Sequence, residues 1–200
     1  MRPYQRIDQV VNADRLLDLF LSANQLKRVA RTGWVMRGVA DAESVSDHSY
    51  GVAFVALTLA SFVEEDVDTT KLLTLALIHD LPEAILGDIP APAGEYLPSD
   101  AKERAEGSVL ATLLEGLPQL RDWRTWWREY EEQTTVEARL VRDADQLDLL
   151  LQAFVYEQTT GNRWLEEFWR ETTSDIFAYG ATRRVFDVLR ETRGRRDEGR

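Results

Sequence analysis

A histidine, an aspartate and a glutamate lie within five residues of one apolar segment, at His79, Asp80 and Glu83, and Asp88 follows shortly after. The chain contains only one other histidine, His48. Imidazole and carboxylate groups are ligands that divalent transition metals accept, and a carboxyl group beside such a metal can act as a general acid or base. These residues therefore indicate a divalent metal site with acid–base groups next to it.

Helical spacing places the candidate ligands on the inward faces of predicted helices. His48 lies four residues before Val52 on one apolar face, and His79 continues the apolar face of the next helix. Asp145 falls on the inward face of a long predicted helix. A buried carboxylate without partners is costly, so an inward Asp145 requires a cation or strong hydrogen-bond donors. Together with Asp80, these residues form a candidate set of four ligands from three predicted helices.

Each of these residues also has a simpler structural explanation. A single histidine on an apolar face is usually part of the core. Asp145 could pair with Arg142 on a solvated face, and Asp143 is a rival ligand on the same helix. Asp80 could cap the short helix expected after Pro82. The residues alone leave the metal site and these structural roles open.

The segment 19–40 contains four basic residues and no acidic one, although the chain as a whole carries a net charge of −11. Such a segment could supply local positive charge for an anionic substrate. Arginine suits forked contact with phosphate, which makes Arg31 and Arg37 candidate substrate contacts, and Trp34 offers a flat surface for a base. A solvated helix end and a core tryptophan explain the same residues without a ligand.

Composition places these residues in an ordinary globular chain. The 200 residues are 44% hydrophobic, which suits one domain over residues 1–193, with the charged segment 194–200 expected to fray. The absence of cysteine excludes disulfides and thiolate ligands. The negative charge argues against nucleic acid or an anionic membrane as a partner. Residues 1–6 lack the apolar segment of a secretory signal, and no apolar run is long enough to span a bilayer, so we predict a cytoplasmic protein.

Apolar positions recur at helical spacing along most of the chain, which predicts an all-α bundle. The first helix is expected to bury Leu16, Leu17, Phe20 and Leu21, and the second to begin at a Ser46 cap. Gly87–Pro98, with three prolines and two glycines, is predicted to be a long loop beside the site. The predicted helices cover residues 13–30, 46–63, 69–81, 99–114, 120–132, 134–158, 162–171 and 174–192.

The order of the candidate ligands resembles a known family pattern. His48, then His79-Asp80, then Asp145 resembles the H…HD…D pattern of the HD-domain metal-dependent phosphohydrolases. The segments 27–35, 43–48, 79–88 and 129–146 are similar to the 5′-deoxynucleotidase branch, which includes the bacterial YfbR-like enzymes and the eukaryotic HD-domain-containing protein 2 group. The resemblance covers about residues 20–160.

The resemblance implies an all-α HD-domain bundle with a metal between inward-facing helices. It implies Glu83 as the acid–base group and Asp88 as a second active-site carboxylate. The family's aspartate precedes the position of Gln146, which favours Asp145 over Asp143. The implied metal ligands are His48, His79, Asp80 and Asp145.

The resemblance also implies a substrate and a cofactor. Family members hydrolyse deoxyribonucleoside 5′-monophosphates to a deoxynucleoside and phosphate, using Co²⁺, Mn²⁺ or a similar divalent metal ion, with Mg²⁺ a further candidate. Arg31 and Trp34 match the family's substrate contacts, and Arg37 of the same basic segment is added to them here. The family further suggests a homodimer.

Two alternatives differ in substrate or in class. The same site could act on a cyclic nucleotide, an alarmone or a nucleoside triphosphate, although a triphosphate is expected to need basic residues around Gly87–Pro98, which has none. A helical binding module without catalysis is the other alternative. The presence of all four candidate ligands together with Glu83 and Asp88 argues against that module.

Overall fold

The computed structural model describes residues 12–197, and every regular element within that range is helical. The one β contact in this part of the chain is an isolated antiparallel bridge between Ala30 and Ser44. The all-α prediction is therefore confirmed. The α-helices are α1 Ala13–Gln25, α2 Thr32–Met36, α3 Val45–Leu59, α4 Thr69–Ile78, α5 Glu83–Leu86, α6 Ala91–Gly94, α7 Ala101–Leu113, α8 Asp122–Glu132, α9 Val136–Thr160, α10 Glu166–Glu171 and α11 Gly180–Asp197.

Helices α3, α4 and α9 pack against one another at the centre of the fold. Each contributes an apolar face whose residues recur three or four positions apart, the spacing that keeps them on one side of a helix. Complete burial of each such leucine or valine stabilises the fold by about 1.5–3 kcal/mol. The fully buried residues of this core are Val52 and Ala56 of α3, Leu72 and Leu75 of α4, and Leu140 and Val141 of α9.

Helix α9 contributes residues to two apolar clusters and so connects them. Its first half packs into the central core, and its second half contributes Leu147, Leu150 and Ala153 to a cluster with Phe177 and Phe186. At 25 residues it is about 37 Å long. Side chains on this one rigid helix can therefore be positioned against both α3 and the carboxyl-terminal segment.

The first helix packs through a different face from the predicted one. Leu19 is buried in a cluster with α5, α7 and the 3₁₀ turn Leu26–Arg28, and Leu16 packs against it. Leu17, Phe20 and Leu21 are instead more than half exposed, with 55%, 62% and 59% of their surface accessible. Both faces of α1 are apolar, so the sequence could not decide which of them is buried.

Two helix starts differ from the predicted ones because another residue provides the cap. Ser44, not Ser46, caps α3: its hydroxyl accepts from the Asp47 amide, and the Asp47 carboxylate accepts from the Ser44 amide at 2.9 Å. This reciprocal box satisfies two amides at once and fixes the start. Helix α9 likewise begins after Thr135, whose hydroxyl oxygen caps it, rather than after Thr134.

The region between α1 and α3 is more ordered than predicted. The first helix ends at Gln25 instead of near Ala30, and α2 lies in the interval between the first two predicted helices, where no helix was predicted. Residues 29–31 pair with residues 43–45: the Arg31 amide donates to the Glu43 carbonyl at 3.0 Å, and the Val45 amide to the Val29 carbonyl at 2.9 Å. This pairing closes the loop and fixes Arg31 beside the start of α3.

The carboxyl-terminal helix extends beyond its predicted end, so residues 194–197 are helical instead of frayed. Arg193 explains the extension, because it pairs with Glu157 at 2.8 Å and with Glu166 and lies over the Trp169 ring. Residues 198–200 and the predicted absence of a signal at residues 1–6 lie outside the described residues, and one domain over 1–193 stays a prediction. In the part of the chain that the structure covers, no helix combines the length and apolarity needed to cross a membrane.

Candidate metal centre and active site

The four predicted ligands, which come from three separate segments, meet at one point. His48 Nε2 lies 3.1 Å from Asp145 Oδ1 and 3.8 Å from Asp80 Oδ2, and His79 Nε2 lies 3.3 Å from Asp80 Oδ2. Ligand atoms of His48, His79 and Asp145 all fall within 4.8 Å of one another. The structure therefore brings together residues that are almost 100 positions apart in the sequence.

Local structure fixes the orientation of His79. As the residue that ends α4, it lies in a turn where its Nδ1 is 2.9 Å from the Ala76 carbonyl oxygen. A carbonyl oxygen only accepts hydrogen bonds, so Nδ1 carries the hydrogen and Nε2 keeps its lone pair. Trp127 of α8 also donates to the His79 carbonyl at 3.1 Å, which holds the turn against the neighbouring helix.

Two buried polar atoms of this cluster have no hydrogen-bond partner: His79 Nε2 and Glu83 Oε2. The Asp80 carboxylate lies 3.3 Å from His79 Nε2 but offers another lone pair and no hydrogen. An unsatisfied buried acceptor costs about 1–3 kcal/mol. A divalent cation would satisfy His79 Nε2, and two imidazoles with two carboxylates form a donor set suited to a divalent transition metal. The residues thus fit a metal.

The charges of the cluster are arranged for a cation. Although burial opposes ionisation, His79 and Arg31 hold the pKa of Asp80 well below its usual range, and His48 does the same for the pKa of Asp145. Burial and Arg31 lower the pKa of His48, but its hydrogen bonds to the carboxylates of Asp145 and Asp148 outweigh them and raise it to about 10. A metal bound at His48 would replace that proton.

The structural roles left open by the sequence are now decided for three residues. Asp80 does not cap α5, because its carboxylate faces the histidines and Arg31. Asp145 does pair with Arg142 at 3.4 Å, but through Oδ2, while Oδ1 faces His48. Asp143 accepts hydrogen bonds from the amides that precede α11, at 2.8 and 3.0 Å, and so serves the carboxyl-terminal segment instead of the metal cluster.

Glu83, the predicted acid–base group, is buried at the first turn of α5, three residues after Asp80. Burial, and then the negative charges of Asp80 and Asp88, raise its pKa to about 9. A carboxyl group with such a pKa holds its proton at neutral pH. It can therefore donate that proton to a substrate, which is the property that a general acid needs.

Asp88, the second predicted carboxylate, connects the loop after α5 to the start of α2. Its Oδ2 accepts a hydrogen bond from the Thr32 amide, and the Thr32 hydroxyl donates to the Asp88 carbonyl at 2.8 Å. Asp88 also borders the cavity over the metal cluster. Its position fits a carboxylate that faces substrate and at the same time orders the residues beside Arg31.

The three predicted substrate contacts have different surroundings. Arg31 borders the cavity and lies 3.4 Å from Asp80. Trp34 also borders it but is only 1% exposed, because its ring packs on Tyr156 and Phe168 and its Nε1 donates to Glu43 at 2.9 Å. A base could not stack on a ring covered in this way.

The structure does not bring Arg37 to the cavity. Its guanidinium lies over the Phe168 ring and pairs with Glu167 at 2.9 Å. Arg31 and Arg37 stand at opposite ends of the short helix α2, so the helix separates their side chains. The basic segment therefore supplies one arginine to the site, not two.

A family model described as "HD domain" matches residues 23–180, more than three quarters of the chain. The chain belongs to the HD-domain family. It is 39% identical over 169 residues to the cattle (Bos taurus) protein named 5′-deoxynucleotidase HDDC2, with 84% of this chain and 80% of that protein covered. It is 35% identical over 157 residues to the Saccharomyces cerevisiae protein named 5′-deoxynucleotidase YGK1, with coverage of 74% and 71%.

A solved structure with a similar fold supports the assignment of this chain to the HD-domain fold. The conserved hypothetical protein from Pyrococcus furiosus superposes with a TM-score of 0.74 at 39% sequence identity. The superposition covers 88% of this chain and 98% of that one. The predicted HD-domain bundle is therefore confirmed.

A cavity of about 560 Å³ opens directly over the cluster of candidate metal ligands in the HD domain. That volume is in the range of sites for small molecules. The cavity is bordered on one side by the candidate metal ligands and Arg31, and on the other by the start of α7 and by α8. The polar residues around it include Glu83, Asp88, Lys102, Glu106, Glu131 and Arg142.

Four residues around this HD-domain site were not found from the sequence as functional candidates. Tyr130 donates to Asp145 Oδ2 at 3.0 Å, Lys102 and Glu106 border the cavity, and Asp148 accepts from His48 at 2.8 Å. A signal existed for Asp148 alone, because it lies three residues after Asp145 and so shares its face of α9. Lys102, Glu106 and Tyr130 lie on other helices, and only the tertiary fold reveals their proximity.

Proposed function

We propose that this chain is a metal-dependent 5′-deoxynucleotidase, which hydrolyses deoxyribonucleoside 5′-monophosphates to a deoxynucleoside and phosphate. The observation that carries the proposal is the meeting of His48, His79, Asp80 and Asp145 under a cavity of about 560 Å³ that also holds Glu83. Relatives at 35–39% identity bear the name 5′-deoxynucleotidase, which supplies the substrate class.

The ligands of the metal would be His48, His79, Asp80 and Asp145. A divalent cation held there would activate water and neutralise negative charge on the phosphoryl group. Two imidazoles beside two carboxylates favour Co²⁺ or Mn²⁺ over a purely oxygen-seeking ion such as Mg²⁺. Tyr130, which donates to Asp145, and the Ala76 carbonyl, which accepts from His79, hold two of the ligands in place.

The phosphate group is bound by Arg31. Its guanidinium is held beside Asp80. Burial lowers the pKa of Arg31, but the negative charges of Asp80, Asp145 and Asp88 outweigh burial and raise that pKa above its usual range, so the group stays charged. An arginine fixed in this way presents a preformed donor to a phosphate oxygen. Arg142 borders the same cavity, paired with Asp145 at 3.4 Å, and contributes further positive charge.

Glu83 supplies the proton that the leaving group requires. Cleavage of the phosphorus–oxygen bond to the sugar leaves negative charge on the 5′-oxygen, and a neutral carboxyl group can transfer its proton there. In the protein without metal, burial and then the negative charges of Asp80 and Asp88 raise the pKa of Glu83. Asp88 completes the acidic wall and faces the sugar.

The experiment that tests the proposal is a substrate panel assayed for phosphate release. The purified protein is loaded with Co²⁺ or Mn²⁺ and given deoxynucleoside monophosphates, the matching ribonucleotides, cyclic nucleotides and nucleoside triphosphates. We expect the deoxynucleoside monophosphates to be hydrolysed with the highest kcat/KM. Preferred hydrolysis of a cyclic nucleotide or a triphosphate would instead support another nucleotide phosphohydrolase, and no turnover of any nucleotide would support a binding module.

We also propose that the protein is a homodimer. The apolar face of α1 formed by Leu17, Phe20 and Leu21 is more than half exposed, as are Tyr50 and Phe54 of α3. Apolar residues grouped at helical spacing on a surface are typical of a subunit interface. Light scattering coupled to gel filtration should give twice the mass of one chain for the wild type and the mass of a single chain for Phe20→Glu.

A cytoplasmic location stays a prediction from the sequence, testable by cell fractionation.

A further inference from the structure

The imidazole of His48 is bound on both sides. Its Nε2 faces the metal cluster, 3.1 Å from Asp145 and 3.8 Å from Asp80. Its Nδ1, on the other side of the ring, lies 2.8 Å from Oδ2 of Asp148. Because an ionised carboxylate only accepts hydrogen bonds, Nδ1 must carry a hydrogen, and Nε2 is the nitrogen whose proton a metal would replace.

The room for this contact is provided by Gly51. A Cβ atom built on Gly51 would lie 2.1 Å from Asp148 Oδ1 and 2.7 Å from its Cγ. Gly51 stands in the middle of α3 with an ordinary helical backbone, where glycine is less favourable than alanine. The glycine therefore has no conformational purpose, and its effect is to let the Asp148 carboxylate reach His48.

Asp148 has a different role from the four proposed ligands. It reaches the nitrogen that points away from the metal cluster, and it is absent from the lining of the cavity. Glu43 also lies near this side of His48, but its Oε1 accepts from Trp34 at 2.9 Å. Asp148 is thus the group that accepts the His48 hydrogen.

We propose that Asp148 is a positioning residue that holds the hydrogen of His48 at Nδ1 and so presents Nε2 to the metal, and that Gly51 is the residue that makes this contact possible. The inference rests on the proposed metal-dependent function, since it assigns His48 as a ligand. Carboxylates that accept from a ligating histidine typically improve metal affinity by about 10- to 100-fold.

The test measures metal affinity apart from catalysis. Co²⁺ is titrated into the purified full-length protein in competition with a chromogenic chelator. Asp148→Ala and Gly51→Ala should each raise the Kd for Co²⁺ by about 10- to 100-fold, since the first removes the acceptor and the second displaces it. Asp148→Asn, which keeps an acceptor but loses the charge, should lie between them and the wild type. Gly194→Ala is the matched control, because a Cβ there meets nothing within 4 Å, and its Kd should match the wild type.

A spectroscopic readout separates positioning from general damage to the fold. The chain contains two histidines, so a long-range proton–nitrogen spectrum shows only two imidazoles. In the Zn²⁺-loaded wild type, His48 should show a protonated Nδ1, and Asp148→Ala should shift the His48 signals while those of His79 remain. Folded Asp148→Ala and Gly51→Ala proteins with a wild-type Kd and unchanged His48 signals would overturn the inference, as would a wild type that binds no metal.

The outcomes also distinguish this inference from the proposed function. If the wild type binds Co²⁺ and the Asp148 and Gly51 variants bind it more weakly, the inference is supported, even if no nucleotide is hydrolysed. Conversely, if the wild type hydrolyses deoxynucleotides and both variants bind Co²⁺ as tightly as the wild type, the inference is overturned and the proposed function stands.

Discussion

At the scale of single residues, the site depends on which atoms are left without partners. His79 uses Nδ1 for the Ala76 carbonyl, so its buried Nε2 is available as a ligand. Glu83 keeps its proton because burial and two neighbouring carboxylates oppose its ionisation. Both properties arise within a few residues of one turn. The apolar face that leads into His79-Asp80 predicted an inward His79. The acid–base role of Glu83 came from the family resemblance, and its raised pKa depends on burial in the folded chain.

The first prediction at this scale concerns Glu83. Glu83→Gln keeps the shape of the neutral acid but cannot transfer a proton, so kcat should fall by about 10²- to 10⁴-fold while Co²⁺ affinity stays near the wild-type value. Steady-state kinetics on a deoxynucleoside monophosphate and a metal titration measure the two effects. Glu95→Gln is the matched control in the neighbouring exposed loop, and it should change neither quantity. Wild-type kcat in Glu83→Gln would remove Glu83 from the mechanism.

The second concerns the pH dependence of stability at Glu106. Burial raises the pKa of Glu106 from 4.5 to about 7, although Lys102 lowers it in part. The folded state therefore binds a proton that the unfolded state has lost, and the wild type loses stability as pH rises from 4.5 through 7. Glu106→Gln removes this penalty. The difference in the free energy of unfolding between Glu106→Gln and the wild type should therefore change with pH. It should be about 1–2 kcal/mol more favourable to Glu106→Gln at pH 8 than at pH 5.

Urea unfolding at the two pH values measures this difference. Glu103→Gln, which lies on the same helix but is exposed, should show no such change between pH 5 and pH 8. A Glu106→Gln protein whose stability relative to the wild type is the same at both pH values would contradict the assigned pKa.

At the scale of the elements, caps and packing faces decide where the ligands stand. His48 lies in the first turn of α3, so the residue that begins this helix also sets the position of the ligand. The sequence offers two serines, Ser44 and Ser46, and the choice depends on Asp47, which completes a capping box only with Ser44. The existence of α3, α4 and α9 was predictable because their apolar faces are regular. The buried face of α1 was not, because that helix is apolar on two sides.

The capping box leads to a prediction at this scale. Ser44→Ala removes the hydroxyl that accepts from the Asp47 amide, and it should cost about 1 kcal/mol in the free energy of unfolding. For a chain of this size, that corresponds to a decrease of about 2–4 °C in Tm. Ser46→Ala is the matched control, since its hydroxyl contacts the Ser44 hydroxyl but caps no amide of the helix start. A greater loss in Ser46→Ala than in Ser44→Ala would reverse the assignment of the cap.

At the scale of the whole molecule, a long helix connects the ligand site to the rest of the fold. Helix α9 carries Asp145 and Asp148 toward α3, while on its other side Asp143 holds the start of α11. Periodicity predicted this helix and the inward face that holds Asp145. It could not predict the partners, since His48 and Asp148 are 100 residues apart and meet only when α3 packs on α9. For the same reason Lys102 and Tyr130 became visible only in the folded chain.

The same scale explains how an acidic protein can accept an anionic nucleotide. The net charge is −11, but Arg31, Lys102 and Arg142 border the cavity around the ligand cluster. The bound cation would add to this local positive field. The overall charge therefore argues against extended nucleic acid as a partner without excluding one nucleotide.

The most direct test of the central claim measures phosphate release by one preparation under three conditions. The wild-type protein is assayed on a deoxynucleoside 5′-monophosphate after removal of metal by a chelator, and again after reloading with Co²⁺ or Mn²⁺. A His79→Ala protein, shown to be folded by circular dichroism, is assayed after the same reloading. We predict that chelation abolishes phosphate release, that reloading restores it, and that His79→Ala stays at least 10²-fold less active. Equal activity of the chelated and reloaded wild type, or of His79→Ala and the wild type, would contradict the account.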